Sequence, residues 1–351
     1  MRRVIYSLSP IGLGHSTRAL AIAEELKKFG IEVEFATGGR ACTFLKQHGY
    51  KVHDIISEPN PIEFGGKVYF PLLWYIRYWL SYNKNKKRVS ELLDKSEYSL
   101  IIGDEEFSSL ITAINQGRKC VMITDETNLN FAQSWFSRYV ESKVIAWYKE
   151  LQSRVDLLII PEFGADHSNI RYVGPIVRQL NKTRKEIFQR YNLPHDKKMI
   201  LCSFSGSGLG EYIIRSAINF CQKAKIDNSF IVVTGKKVEL DNSEGIFNLG
   251  LIDDNHELVA YADLVITTAG KSTIDEAASY GTPIIAIPLK NHFEQEDNAL
   301  ELGYSFNDVA RLDELVHKQF GERKEPKNYE GAKIAASCLA KLIDENIIKN
   351  R

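Results

Sequence analysis

The sequence predicts an α/β protein of two domains, each a parallel sheet flanked by helices. Three observations carry this. Short apolar runs of the kind found in buried parallel strands alternate with helix-period stretches along the whole chain. Two of these runs open into glycine-rich turns that lead into helices, at residues 9–15 and 205–210. A chain of 351 residues is also long enough for two domains of ordinary size.

Composition narrows the function. Lys plus Arg and Asp plus Glu both total 45, so no global basic field argues for a nucleic-acid partner. The five cysteines, Cys42, Cys120, Cys202, Cys221 and Cys338, are scattered without CxxC or metal-ligand spacing, as in reduced cytosolic proteins. The chain enters its first strand at residue 3 with no signal-peptide apolar region. No apolar run reaches the length of a membrane span. A cytoplasmic protein, or one on a membrane face, is expected.

Taken in order, residues 4–8 read as a strand, 9–15 as a glycine-rich turn, and 16–29 as a helix with Leu20, Ala23 and Leu26 on one face. Gly30 stops the helix, and a second strand follows at 32–36. This βαβ start is not a dinucleotide fingerprint, because the third glycine position is Thr17. Further strands are expected at 52–56, 98–103, 120–124 and 156–160. Between them lie two aromatic stretches. Seven aromatics fall between Tyr69 and Tyr82, with Lys84, Lys86, Lys87 and Arg88 just beyond. The second stretch carries Phe131, Trp135, Phe136, Tyr139 and Trp147, with Arg138 and Lys143 among them. Two readings stand side by side: core packing, or an interfacial segment that docks on anionic lipid heads.

The second half repeats the pattern. A strand at 198–203 runs into the turn Ser205, Gly206, Ser207, Gly208. Strands are expected at 230–234 and 245–248, then at 264–267 and 283–289. Between the last two, Gly270 opens a turn, Ile274, Ala277 and Ala278 share a helical face, and Gly281 with Pro283 ends the helix. Gly270-Lys271-Ser272 looks like the end of a P-loop, but the glycine required five positions earlier is Val265. The helix start has two readings. Thr273 and Glu276 fit a capping box without any ligand. Alternatively, a phosphate at the turn and ribose hydroxyls on Glu276, with sugar hydroxyls on Glu294 and Gln295 after the next strand, would explain the whole set. An amphipathic helix is expected at 333–348.

Residues 262–303, with the Gly270 turn, Glu276, the Glu294-Gln295 pair and Asn298-Ala299, resemble the donor-nucleotide motif of GT-B glycosyltransferases. The likeness is to the inverting MurG-type (family 28-like) N-acetylglucosaminyltransferases and related archaeal enzymes. Gly14-His15 matches the Gly-His end of that family's first loop, with Gly12 kept and Ser9-Pro10 in place of its leading glycines. The resemblance implies two Rossmann-like domains whose sheets face a central cleft, with the last helix crossing back to the first domain. It implies an acceptor domain at 1–175 plus 333–351 and a donor domain at 176–332, joined at 174–178.

The same likeness implies roles. His15 would be the general base, and Glu126, in a Glu-x-Asn element, would orient His15 or the acceptor, with Asp104 and Glu105 as alternatives. Gly14, the turn at Ser205, Gly206, Ser207 and Gly208, and Gly270, Lys271, Ser272 and Thr273 would meet the donor diphosphate. Ile252 would lie against the base, Glu276 on the ribose, and Glu294 and Gln295 on the sugar. The partners implied are a UDP-sugar, read as UDP-GlcNAc or another hexose donor, and an acceptor hydroxyl or phosphate that is lipid-linked. No cofactor and no metal is implied. Competing readings are a nucleotide-sugar hydrolase or epimerase on the same scaffold, and a donor-binding subunit that needs a second chain.

Overall fold

A computed structural model describes residues 2–11, 13–59, 62–64, 67–69, 71–125, 135–204, 211–224, 226–235 and 245–349. The chain divides into two units: residues 1–60, 70–177 and 329–351 form the first, and 61–69 with 178–328 the second.

The first half of the chain runs β1 (Arg3–Leu8), α1 (Gly14–Lys28), β2 (Glu32–Thr37), α2 (Gly39–Gln47), β3 (Val52–Asp54), then the antiparallel hairpin β4 (Ile62–Phe64) and β5 (Lys67–Tyr69). It continues with α3 (Pro71–Asp94), β6 (Leu100–Asp104), α4 (Phe107–Asn115), β7 (Cys120–Ile123), α5 (Trp135–Arg154), β8 (Leu157–Ile160) and β9 (Ile170–Tyr172). Seven parallel strands make the first unit's sheet, in the order β3-β2-β1-β6-β7-β8-β9. Along β1, Tyr6 and Leu8 pack into a core on one face of the sheet and Ile5 into a core on the other. Burial on both faces is why the strand is apolar without alternation.

The second half runs α6 (Arg184–Arg190), β10 (Lys198–Ser203), α7 (Glu211–Ala224), β11 (Ser229–Thr234), β12 (Ile246–Gly250), α8 (Asn255–Tyr261), β13 (Leu264–Thr267), α9 (Lys271–Tyr280), β14 (Ile284–Ala286) and α10 (Phe293–Glu301). A 3-10 turn (Phe306–Arg311), α11 (Leu312–Gln319) and α12 (Gly331–Lys349) complete it. Here five parallel strands are ordered β12-β11-β10-β13-β14. Helix α12 belongs to the first unit, where Ala332, Ala335, Ala336, Leu339 and Ile343 join the same core as Tyr6 and Leu8.

Both orders reverse at one place. In the first sheet the chain turns back between β1 and β6, where Leu8 lies opposite Asp104. In the second it turns back between β10 and β13, where Ser203 lies opposite Thr267. Open parallel sheets leave a crevice at the carboxyl ends of such strands, because neighbouring loops depart to opposite faces.

Two strands end earlier than their apolar runs. β3 stops at Asp54 although Ile56 is buried, and β14 stops at Ala286 although Leu289 is buried. Past β14 the Ile287 N–H still donates to the Thr267 carbonyl at 2.9 Å, and the Leu289 N–H donates to the Gln295 side chain at 3.0 Å.

One buried charge cluster supports the first sheet away from the strand ends just described. Glu34 on β2, 2 % exposed at its side chain, accepts from Tyr98 Oη at 2.8 Å and from Lys51 Nζ at 3.1 Å, and meets His53 Nε2 at 2.8 Å. Burial works to raise its pKa, but the bonds from His53, Tyr98 and Lys51 outweigh that and hold it at about 2. A carboxyl held below its ordinary value stabilises the fold above pH ~4.5, and that contribution is lost as pH falls towards 2. Glu34→Gln is therefore expected to cost about 2 kcal/mol at pH 7 in urea unfolding. The gap from the unmodified protein should narrow by pH 3. Equal gaps at both values would rule out the ionised carboxylate as the source.

Candidate active site

At the first unit's reversal point, the turn after β1 delivers His15 into the first turn of α1, beside Asp104 at the end of β6. Asp104 is fully buried. Its Oδ2 accepts from Tyr6 Oη at 2.8 Å and from Arg18 Nε at 3.1 Å, and its Oδ1 accepts from Arg18 Nη2 at 2.5 Å. The same Oδ1 lies 3.0 Å from His15 Nδ1. Burial alone would raise the Asp104 pKa, but the Arg18 cation and the His15 bond hold it well below the usual carboxylate range. Asp104 is thus an anion at neutral pH, and an anion facing Nδ1 keeps the proton there. Nε2 is left bare, on a side chain that is 24 % exposed. Burial lowers the His15 pKa, but the hydrogen bond and charge of Asp104 more than offset it, so the net shift is upward.

Around this pair the strand ends bring more carboxyls. Glu105, the residue after Asp104, adopts a left-handed backbone (φ 49) that non-glycine residues seldom take. It accepts from the Thr124 hydroxyl, which also meets Tyr148 Oη. Burial, with the charge of Asp125 adding, pushes its pKa to about 7. Glu58 accepts from Ser9 Oγ at 2.7 Å, and burial pushes it to about 8. Glu106 instead caps α4, accepting from the N–H groups of Ser108 and Ser109 at 3.0 and 2.9 Å. Gly103 makes this close packing feasible: a Cβ there would lie 2.5 Å from Leu110 Cγ and 2.8 Å from the Glu106 carbonyl oxygen.

In the second unit, β13 leads through Thr268 and Ala269 to Gly270, the N-cap of α9. This corrects the capping-box expectation. No side chain caps the helix, and Thr273 lies inside it as the third residue. The first amides of α9 therefore keep the unsatisfied N–H groups of a helix start. Nor does Gly270 supply an unusual backbone angle. Ala269 takes the left-handed angle (φ 58), with Asn298 Nδ2 donating to its carbonyl at 3.1 Å. What Gly270 supplies is room, since nothing lies within 4 Å of where its Cβ would be. Lys271 is not directed at that space: its Nζ binds both Asp275 oxygens at 2.7 and 2.8 Å. Ser272 and Thr273 are half-buried in the same turn.

Glu276 is 5 % exposed, and no described residue donates a hydrogen bond to it. Burial pushes its pKa to about 7, with the Arg178 cation opposing and Asp275 adding. A buried carboxyl without a donor is costly, so it points to a ligand that supplies hydroxyls. Gln295 is also buried, and its Oε1 is spent on the Leu289 N–H. It holds the loop between β14 and α10. Glu294 stands half-buried in the first turn of α10, and Ile252 is half-buried against the second unit's core.

Glu126, Ser205, Gly206, Ser207 and Gly208 lie outside the described residues, as do Gly12, Phe131 and the side chains of Trp135, Phe136 and Tyr139. Among the described residues the carboxylate that meets His15 Nδ1 is Asp104, an alternative to Glu126 in the sequence reading. Arg18, Tyr6 and Glu58 were missed altogether. A signal existed for Arg18: three residues after His15, it shares the same helix face. Glu58 had none, because it is far along the chain and arrives through Ser9.

Helix α3 carries the first aromatic stretch and presents Leu73, Ile76, Trp79 and Leu80 to solvent. Arg77, Lys84 and Lys87 are exposed beside them. Arg88 is engaged instead, donating to the Ile55 carbonyl at 3.3 Å. Among the described residues no helix is long and apolar enough to cross a membrane, and all five cysteines are free.

Residues 205–319 match the glycosyltransferase family 28 C-terminal domain. The chain is 26% identical over 320 residues to an uncharacterized glycosyltransferase of Methanosarcina mazei, covering 82% of this chain and 80% of that one. It is 25% identical over 317 residues, 82% and 79% of the two chains, to the UDP-N-acetylglucosamine--N-acetylmuramyl-(pentapeptide) pyrophosphoryl-undecaprenol N-acetylglucosamine transferase of Rickettsia akari. The calicheamicin glycosyltransferase CalG4 superposes with a TM-score of 0.64 at 16% identity, over 99% of this chain and 98% of that one. Two parallel-sheet α/β units, of seven and five strands, are those of the GT-B fold.

Proposed function

We propose that this chain, a glycosyltransferase of GT-B fold with a family 28 C-terminal domain, is an inverting enzyme that moves a hexose from a UDP-sugar to a lipid-linked acceptor hydroxyl. The observation that carries the reading is the His15–Asp104 pair, with Nδ1 held and Nε2 free at the carboxyl edge of a parallel sheet. His15 Nε2 takes the proton of the acceptor hydroxyl as its oxygen attacks the anomeric carbon. The bond from that carbon to the diphosphate breaks on the opposite face, and UDP leaves with the electron pair. The unsatisfied amides at Lys271, Ser272 and Thr273 face the leaving diphosphate, and Glu276 binds the ribose hydroxyls. For the sugar, the name of the Rickettsia akari relative supports N-acetylglucosamine and an undecaprenol-linked acceptor.

The test is a panel of UDP-, GDP- and dTDP-sugars, first by thermal shift and then by turnover with lipid acceptors, reading the anomeric configuration of the product. Retained configuration would overturn the mechanism. Sugar release or isomerisation at full rate without any acceptor would make the chain a hydrolase or epimerase instead.

The exposed face of α3 supports a peripheral contact with anionic membrane through residues 69–88 on the cytoplasmic side. Replacing Trp79 by Ser and Lys84, Lys86 and Lys87 by Gln is expected to weaken binding to phosphatidylglycerol vesicles at least tenfold, since each lysine near an anionic surface contributes about 1 kcal/mol. The loss should shrink as salt rises. If the unmodified protein does not sediment with such vesicles, the membrane contact is excluded.

A further inference from the structure

The contacts of Asp104 and His15 raise a problem that a simple His–carboxylate pair does not have. His15 Nδ1 has two neighbours at nearly equal distance: Asp104 Oδ1 at 3.0 Å, an acceptor, and Arg18 Nη2 at 3.1 Å, a donor. These demand opposite tautomers. Donation from Nδ1 to Asp104 leaves Nε2 bare and able to take a proton. Donation from Arg18 to Nδ1 places the ring proton on Nε2 and removes the base.

From this geometry we infer that Arg18 is a positioning residue that fixes where Asp104 stands and how strongly it holds His15, an inference that rests on His15 being the base. Arg18 is 8 % exposed and grips Asp104 with two arms, Nε to Oδ2 and Nη2 to Oδ1, while Nη1 donates to Asp125 at 2.7 Å. A planar fork bound this way leaves Asp104 one orientation, with Oδ1 turned to Nδ1. Tyr6 Oη closes the remaining side at Oδ2. Nη2 has one N–H on Oδ1 at 2.5 Å and a second that competes for Nδ1, and acceptance by the Asp104 anion at 3.0 Å is what keeps the proton on Nδ1.

The fork also shares the carboxylate's charge. Asp104 faces His15 from β6, Arg18 from α1, Glu105 from the turn after β6, and Glu58 from beyond β3. Asp125, after β7, acts on Arg18. Among these groups Arg18 is the cation set against His15. It opposes the carboxylates that favour the protonated imidazole, the form that cannot act as a base.

The experiment uses the full chain with 15N-labelled histidine, reading the His15 tautomer and titration midpoint by NMR, with His15→Gln identifying the signal. Arg18→Gln is expected to raise the His15 midpoint by about one pH unit, the lower end for an uncompensated neighbouring carboxylate. The acid limb of kcat should move with it, while KM for the donor stays unchanged. Arg18→Lys keeps the cation and loses the fork, so its midpoint should stay near that of the unmodified protein while kcat falls several-fold. An unchanged midpoint in Arg18→Gln, or full kcat in Arg18→Lys, overturns the inference. Should Arg18→Gln fail to fold, Arg18→Lys still decides it. Failure of the catalytic reading looks different: His15→Ala would then keep its turnover, whatever the NMR shows for Arg18.

Discussion

His15→Ala is expected to lower turnover by about a hundredfold or more, the usual worth of a positioned base. Affinity for the UDP-sugar should barely change, since the groups proposed to bind the nucleotide belong to the second unit. The pH profile carries a further expectation with a fixed sign. Because Asp104 raises the His15 pKa, the base is lost by protonation at a higher pH than for a free imidazole, and turnover should fall on the acid side from above ~6.5. Asp104→Asn should move that limb to lower pH while also cutting turnover, because the neutral amide no longer dictates the tautomer. Near-normal turnover in His15→Ala would pass the base role to Glu105, the neighbouring carboxyl whose pKa lies near 7.

Glu276→Ala is expected to weaken UDP-sugar binding by about 2 kcal/mol, roughly thirtyfold, as for hydrogen bonds to a charged group. Stability of the free protein should move the other way. Glu276 has its pKa raised from 4.5 to about 7, so its burial costs nothing below pH ~4.5 and costs most above 7. The alanine variant should accordingly melt higher than the unmodified protein at pH 8, with less difference at pH 5. A lower melting temperature with unchanged donor affinity would return Glu276 to a structural role.

Much of the architecture was legible because parallel strands buried on both faces leave continuous apolar runs, as in β1, β10 and β13. Gly281, marked as the stop of α9, ends it in a left-handed conformation (φ 71). The sequence was less informative where side chains replace backbone partners. The strand expected at 283–289 ends at Ala286, and beyond it the Leu289 N–H goes to the Gln295 side chain six residues on, a local contact with no periodic signature. The helix-start motif at Thr273 and Glu276 misled for the opposite reason. Its spacing is right for a capping box, but the helix begins at Lys271, so the motif sits inside it. In the first unit, His15 was singled out by the resemblance of Gly14-His15 to a family loop. For its partner the sequence puts Glu126 ahead of Asp104 and Glu105, all expected after strands, and it is the register of β1 against β6 that sets Asp104 beside His15.

Helix α12 gives this chain a particular order of birth. Its buried face completes the core that also holds Tyr6 and Leu8, yet the whole of residues 178–328 is synthesised in between. At about 5–20 residues per second, the ribosome spends on the order of ten to thirty seconds on that stretch. During this interval the first unit lacks a wall of its core, and Ala332, Ala335, Leu339 and Ile343 do not yet exist to cover α1. The second unit has all of its own strands and helices before then. The part of the molecule that carries His15 is thus begun first and finished last.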